Sequence, residues 1–188
     1  LNKHWSWDRI LRSCFIKQAD VIQGLYFLPD KFNLETVRRN FDFYEPRTVH
    51  ESSLSPSIHS IVASRLGYHQ KAYELLIRTT RLDLDNYNDD TDDGIHLTSM
   101  AGSWTAIVEG LAGVSAQKDR LTLAPFLPTP WESYSFQLAF RRRTVKITVS
   151  ADQVMVALLT GEPLTIEVYG DAYRLADGSP AIAPLSLD

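Results

Sequence analysis

The chain has 188 residues, of which 44% are hydrophobic and 22% are charged, a balance that is ordinary for a globular protein. Its formal net charge of −4 argues against a nucleic-acid partner held by bulk electrostatics, and no apolar run is long enough to span a membrane. The single cysteine, Cys14, excludes an internal disulfide, favours a reducing compartment and is predicted to be a packed core residue. We therefore expect a cytoplasmic protein without nucleic-acid or membrane partners.

The first half of the chain has the apolar spacing that is typical of α-helices. Breakers separate the helical stretches: Pro29 after the first, Pro46 after the second and Gly67 after the third. The third helix is predicted to start with Ser55 as its N-cap and Pro56 as its first residue. The predicted helices cover residues 16–28, 34–44, 56–66 and 68–82, and a fifth begins after Thr98 or Ser99.

Residues 92–113 combine a histidine, two hydroxyl side chains and a turn that leads into the fifth helix. Thr98 or Ser99 is suited to be the N-cap. A helix N-terminus attracts anions through its free N–H groups and its dipole, and His96 is near enough in sequence to add a proton or a charge. The pattern suits phosphate binding, although an ordinary capped helix beside a surface histidine has the same pattern. An apolar stripe is predicted along this helix, through Trp104, Ile107, Val108 and Leu111.

A second candidate cluster lies on the first predicted helix, which is mostly apolar. Lys17 and Gln18 interrupt its apolar residues, and a buried polar pair is costly unless it is satisfied. The pair is therefore a candidate for binding sugar hydroxyls or an anion. Alternatively, Lys17 simply pairs with Asp20 three residues later.

A third cluster precedes the third helix, where His50 and Glu51 lie among serine residues. These side chains could line a polar pocket, or the serines could serve only in turns and caps. The acidic run over residues 83–93 lacks the alternating ligands of a calcium-binding loop. No metal site is therefore predicted.

After Leu121 the apolar residues alternate with a period of two, which predicts β-strands. Turn signals recur every 8–12 residues, as expected for an antiparallel meander. The basic cluster at residues 141–143 falls in a predicted hairpin turn and is interpreted as solvated. These patterns predict an α+β fold, with a helical portion over residues 1–118 and a small antiparallel β-domain over residues 119–188.

Three long strings resemble glycoside hydrolase family 65 and, within it, the inverting disaccharide phosphorylases. They are HWSWDRILRSCFIKQADVIQGLYF, RRNFDFYEPRTVHESSLSPSIHSIVASRLGYHQKAYEL and LDLDNYNDDTDDGIHLTSMAGSWTAIVEGLAG. The likeness covers residues 1 to about 140, and the remainder is similar to the C-terminal sheet of that family. It implies the C-terminal part of an (α/α)6 barrel, with about five helices, followed by a small antiparallel β-sheet domain.

The resemblance also implies an activity for the full-length protein. Relatives of this kind cleave a maltose-like α-glucosyl disaccharide with inorganic phosphate, with inversion, to give β-glucose 1-phosphate and glucose. Phosphate is a co-substrate, and no cofactor is implied. The implied partners are the disaccharide, phosphate, the N-terminal remainder of the enzyme and a second copy in a homodimer.

The resemblance assigns roles to two groups of residues. Substrate binding is implied for Lys17, Gln18, His50 and Glu51, and phosphate binding for His96, Thr98, Ser99, Gly102 and Ser103. The general-acid glutamate of the family belongs to an upstream segment, so no catalytic residue is expected in this chain, which we expect to be inactive alone. Two alternatives stay open: a hydrolase of the same family, of the acid trehalase type with Glu51 as base, and a non-catalytic sugar-binding module.

Overall fold

The computed structural model describes residues 4–50, 53–87, 89–117, 119–176 and 178–186, without the side chain of Asp93. The chain divides into two compact units, Leu1–Gly110 and Leu111–Asp188. The division predicted after residue 118 lies later in the chain, because strand β1 (Ser115–Gln117) pairs with the next strand of the second unit. None of the described helices is long and apolar enough to cross a membrane.

The described part of the first unit consists of α-helices and the segments that connect them, three of which contain a short 3-10 helix. Helix α3 has the bounds that its sequence predicts, and the side chain of Asn33 caps it by accepting a hydrogen bond from the N–H of Thr36 at 2.8 Å. The helices are α1 Trp7–Leu11, α2 Asp20–Phe27, α3 Leu34–Tyr44, α4 Ser55–Arg65, α5 His69–Thr80 and α6 Leu97–Thr105, which continues as the π-helical segment Ala106–Leu111.

Helix α4 is the most buried helix of this unit. It contacts α2, α5 and α6, and it buries polar residues as well as Ile61, Val62 and Ala63. The buried hydroxyl of Ser60 donates to the carbonyl of Ala72 at 2.7 Å. The prediction that Ser55 is the N-cap is wrong: Leu54 holds that position and Ser55 is the first helical residue, since the buried first turn of α4 leaves its side chain in the core.

The first predicted helix is wrong over its first turn. Residues 16–19 are not helical, because Ile16 forms a parallel bridge with Thr48: its N–H donates to the carbonyl of Arg47 at 3.0 Å, and its carbonyl accepts from Val49 at 2.8 Å. This pairing over a long sequence separation replaces helical hydrogen bonds that local spacing favours. Cys14 lies in the preceding turn and is exposed, so its predicted core position is also wrong.

The fifth predicted helix starts earlier than expected, and of its predicted apolar stripe only Val108 and Leu111 are confirmed as buried. His96 is the N-cap of α6, without a side-chain cap hydrogen bond. Trp104 is 53% exposed, whereas Ala106, Val108 and Leu111 are buried. The cause is the π-helical segment from Ala106 onward: its wider turn changes the angular spacing on which the predicted stripe depends.

The described part of the second unit contains two four-stranded sheets, with strand orders β1-β2-β6-β7 and β3-β4-β5-β8. The meander is confirmed for β3 to β5, which pair antiparallel in sequence order. The segment Leu164–Val168, however, forms β6 in the other sheet and pairs parallel with β2. The strands are β1 Ser115–Gln117, β2 Arg120–Leu123, β3 Ser133–Phe140, β4 Arg143–Ser150, β5 Gln153–Thr160, β6 Leu164–Val168, β7 Asp171–Leu175 and β8 Ala181–Pro184.

Side chains from both sheets form the core of the second unit. Every second residue of β4 and β5 is buried, as period-two alternation predicts. Arg141 and Arg142 form the predicted hairpin turn with positive φ angles of 49° and 62°. The guanidinium of Arg143 donates to the carbonyl of Arg141 in that turn and to the carbonyls of Glu162 and Pro163 after β5.

Candidate functional site

Two of the predicted substrate segments lie side by side in the first unit. The bridge between Ile16 and Thr48 aligns residues 16–18 with residues 48–50. Lys17 is exposed, and its Nζ lies 5.2 Å from the ring centroid of Trp7, within the range of a cation–π contact. Gln18 donates to the carboxylate of Asp20 at 3.2 Å. The expectation of a buried Lys–Gln pair on a helix is therefore wrong, because this segment is extended.

His50 lies at the end of that aligned segment in a left-handed conformation, with φ of 55°. A positive φ is uncommon for histidine and is often found where a turn or a site requires it. The residue is 6% exposed, and its ring meets the ring of His59 edge to face. Burial, together with the charges of the neighbouring groups, lowers the pKa of His50 to about 3. His50 is therefore neutral at physiological pH and is not a cationic phosphate ligand.

A cavity of about 350 Å³ lies beside His50 and along α5. Arg78 donates to the carbonyl of His50 at 3.0 Å and stacks over the ring of Tyr87 at 4.4 Å. Lys71, also in the lining, lies 3.5 Å from the carboxylate of Glu45. The sequence patterns did not single out Arg78 or Tyr87, because a lone arginine on an amphipathic helix is ordinary.

Three of the predicted phosphate residues make contacts inside the helical packing. The buried hydroxyl of Ser99 donates to the carbonyl of Thr79 at 3.1 Å, and the hydroxyl of Ser103 donates to the carbonyl of Ser99 at 2.9 Å. A Cβ on Gly102 would lie 2.7 Å from the Oγ of Ser57, so this glycine permits close contact of α6 with α4. In this arrangement neither serine proton is available to an anion.

Among the predicted phosphate residues, Thr98 is exposed and His96 is partly exposed. The His96 side chain is 24% exposed and lies between two carboxylates: its Nδ1 is 2.6 Å from Asp83, and its Nε2 is 3.4 Å from Asp90. The hydrogen bond to Asp83, followed by the charges of both carboxylates, raises the pKa of His96. The ring therefore stays cationic at a higher pH than an ordinary histidine. The sequence patterns treated Asp83 and Asp90 only as loop residues.

Helix α5 connects the two halves of the candidate site through adjacent residues. Arg78 binds the carbonyl of His50, and the carbonyl of Thr79 accepts from Ser99. The bridge between Ile16 and Thr48 places the segment of Lys17 and Gln18 beside the segment that ends at His50, and the start of α6 contacts α5 through Ser99. Glu51 lies outside the described residues.

Family models match most of the chain. The central catalytic domain of glycosyl hydrolase family 65 matches residues 1–105, and the C-terminal domain of the same family matches residues 114–175. The two matches follow the two compact units of the structure.

Individual relatives agree with these matches. The chain is 57% identical over 169 residues to a maltose phosphorylase of Bacillus subtilis (strain 168). The aligned region covers 90% of this chain and 22% of the relative. It is 40% identical over 175 residues to an α,α-trehalose phosphorylase of Thermoanaerobacter brockii, covering 93% and 23%. A solved structure from the human microbiome, provisionally assigned as a kojibiose phosphorylase, is 40% identical with a TM-score of 0.91, covering 100% of this chain and 27% of that one. The chain therefore spans about a fifth to a quarter of the length of the relatives it matches.

Proposed function

Because the chain belongs to glycoside hydrolase family 65, we propose that it forms part of an inverting disaccharide phosphorylase that acts on a maltose-like substrate. The identity of 57% to a maltose phosphorylase over 90% of the chain carries this proposal. The trehalose phosphorylase named above, and the solved structure provisionally assigned as a kojibiose phosphorylase, have phosphorolysis of other disaccharides in their names, which supports phosphorolysis as the reaction. The level of identity favours maltose as the disaccharide.

In the proposed reaction, a phosphate oxygen attacks the anomeric carbon of the glucosyl unit from the face opposite the glycosidic bond. The bond from that carbon to the leaving oxygen breaks as the bond to phosphate forms, which inverts the configuration. A general acid protonates the leaving oxygen. We propose that this acid is the glutamate of the family that belongs to an upstream segment. Phosphate arrives as an anion and needs no base, so its site must supply cations and N–H donors.

His96 is our candidate for the cationic side chain that binds phosphate. Its ring is partly exposed, the hydrogen bond to Asp83 raises its pKa, and it is the N-cap of α6, where the helix dipole adds positive potential. Thr98 is exposed one residue into that helix, and its main-chain N–H has no main-chain partner among the described residues. We assign phosphate binding to these two residues.

Lys17 and Gln18 are our candidates for contacts with the sugar. The extended backbone at residues 16–18 is fixed by its bridge to Thr48, so both side chains project from a rigid segment. An ammonium and an amide are suitable donors for sugar hydroxyls or for a phosphate oxygen. The buried neutral ring of His50 then shapes the adjoining backbone rather than binding an anion.

The test uses the full-length protein that contains this chain. It is incubated with maltose, and in parallel with trehalose, kojibiose and nigerose, each with and without inorganic phosphate. We expect β-glucose 1-phosphate to form from maltose only when phosphate is present, with its anomeric configuration identified by proton NMR. Release of glucose at the same rate without phosphate would overturn the proposal and favour the family hydrolase.

A further inference from the structure

Two carboxylates contact His96 in different ways. Asp83 contacts it twice: the ring Nδ1–H donates to Oδ1 at 2.6 Å, and the main-chain N–H of His96 donates to Oδ2 at 2.9 Å. Asp90 makes one contact, with its Oδ2 at 3.4 Å from the ring Nε2. The other charged pair of this turn, Arg81 and Asp85, is bonded within itself at 2.6 Å.

The double contact fixes the ring. A carboxylate can only accept hydrogen bonds, so the contact with Asp83 sets the proton on Nδ1 and directs Nε2 away from Asp83. Because Asp83 also holds the main-chain N–H of the same residue, the ring cannot rotate without losing its partner. Histidines that bind ligands are commonly oriented by a carboxylate in this way.

The contact with Asp90 is weaker. At 3.4 Å it is longer than the 2.7–2.9 Å of a good charge-assisted hydrogen bond, and the Asp90 side chain is 34% exposed. Ion pairs this exposed contribute little, because water competes for both partners. The Nε2 of His96 therefore faces an oxyanion that water and other anions can replace.

We propose that Asp83 positions His96 for phosphate, and that the Asp90 carboxylate occupies the phosphate position on Nε2 until phosphate displaces it. This inference rests on the proposed function, because it takes His96 as the phosphate ligand. Asp83 is then a positioning residue. Asp90 makes the apparent affinity for phosphate the outcome of a competition with an intramolecular carboxylate.

The two aspartates have opposite effects on phosphate binding. Without the Asp83 charge, the ring loses its fixed orientation and releases its proton at a lower pH, and a deprotonated Nε2 accepts hydrogen bonds and repels a phosphate oxygen. Without the Asp90 charge, phosphate meets no competitor on Nε2. Replacing Asp83 therefore weakens phosphate binding, whereas replacing Asp90 strengthens it wherever the ring is still protonated.

The test compares Asp83→Asn, Asp90→Asn and Asp89→Asn in the full-length enzyme. Asp89 is the matched control, because it lies in the same loop and accepts from Asn86 at 3.3 Å, so its replacement removes the same charge away from His96. Asparagine also tolerates its positive φ of 61°. Kinetics are measured between pH 5.5 and 8.5 with phosphate as the varied substrate, and calorimetric titration with inorganic phosphate measures binding directly.

At pH 6 we expect Asp90→Asn to lower the KM for phosphate about threefold, the size of a weak exposed ion pair. Asp83→Asn should raise that KM about tenfold, as when an orienting partner of a histidine ligand is lost, and should move the alkaline loss of phosphate affinity to lower pH. Asp89→Asn should match the wild type.

Equal phosphate KM values for Asp90→Asn and Asp89→Asn would overturn the proposal that phosphate displaces the Asp90 carboxylate from His96. An unshifted pH profile in Asp83→Asn would overturn the positioning role, because a merely structural loss does not move a titration. If the enzyme is phosphate-dependent but His96→Gln has the wild-type phosphate KM, this inference fails while the proposed function stands. Phosphate-independent cleavage by the wild type instead removes the proposed function itself.

Discussion

The rings of His50 and His59 meet edge to face, with centroids 4.7 Å apart and an interplanar angle of 76°. Neither ring nitrogen of either residue has a hydrogen-bond partner among the described residues. His59 is fully buried, and its ring also packs against Phe41 at 5.7 Å. A buried imidazole without partners is tolerated only when it is neutral, because a buried unpaired charge is costly.

This pair predicts that the helical unit loses stability in acid. Burial lowers the pKa of His50 to about 3 and that of His59 to about 4, whereas the unfolded chain titrates near 6.5. Between these values the unfolded state binds more protons than the folded state. The contribution of the two histidines to the free energy of unfolding is therefore fully present above about pH 6.5 and falls as the pH drops toward 4. Each histidine contributes a slope of up to about 1.4 kcal/mol per pH unit.

Amide hydrogen exchange of α4 in the full-length protein, corrected for the intrinsic exchange rate, measures this slope. His59→Phe keeps an aromatic ring beside Phe41 and should remove about half of the slope. His4→Gln, at an exposed position, serves as the control and should leave it unchanged. A slope that is unaffected by His59→Phe would show that other groups cause the acid sensitivity.

Gly102→Ala should destabilise the protein, and Gly24→Ala should not. A Cβ at Gly102 would lie 2.7 Å from the Oγ and 2.9 Å from the Cβ of Ser57, whereas a Cβ at Gly24 meets nothing within 4 Å. Overpacking of this kind costs about 1–3 kcal/mol, while alanine in an open helix interior gains up to about 1 kcal/mol over glycine. Thermal unfolding midpoints measure both effects, and equal midpoints for the two variants would contradict the close contact of α6 with α4.

Arg142→Gly should stabilise the second unit. Arg142 has a φ of 62°, a conformation that costs an ordinary residue about 1 kcal/mol and glycine almost nothing. Ala151→Gly is the control in the next hairpin turn, where φ is not positive and glycine only adds freedom to the unfolded chain. Chemical denaturation should place the midpoint of Arg142→Gly above, and that of Ala151→Gly below, the wild-type value. The reverse order would exclude strain at the turn.

Lys17→Met should weaken substrate binding without loss of fold. The Lys17 side chain is exposed, so its replacement is expected to cost less than about 1 kcal/mol of stability. If it binds the sugar or phosphate, the KM for one of them rises about tenfold, as for the loss of a charged hydrogen bond. Lys31→Met, another exposed lysine, should leave both KM values unchanged. An equal effect of the two variants would remove Lys17 from the site.

Local sequence patterns predicted the structure correctly where the partners of each residue lie in the same element or in the next element along the chain. Helix α3 has its predicted bounds because Asn33 caps it and Pro46 follows its end. The buried residues of α5, Ala72, Leu75, Leu76 and Thr79, follow the spacing of one helical face. Strands β3 to β5 pair with their sequence neighbours across short turns. In all these cases the short-range spacing and the long-range packing favour the same structure.

The candidate site depended on contacts that local patterns do not contain. The sequence by itself indicated that a helix begins shortly after His96, that Lys17, Gln18 and His50 are candidate binding residues, and that the chain resembles family 65. Only the tertiary structure decided that residues 16–18 are extended beside Thr48, that Ser99 donates to Thr79, and that Asp83 and Asp90 flank His96. These features depend on hydrogen bonds between segments that are distant along the chain. Bringing such segments together costs conformational entropy, which is offset only when the whole helical unit packs.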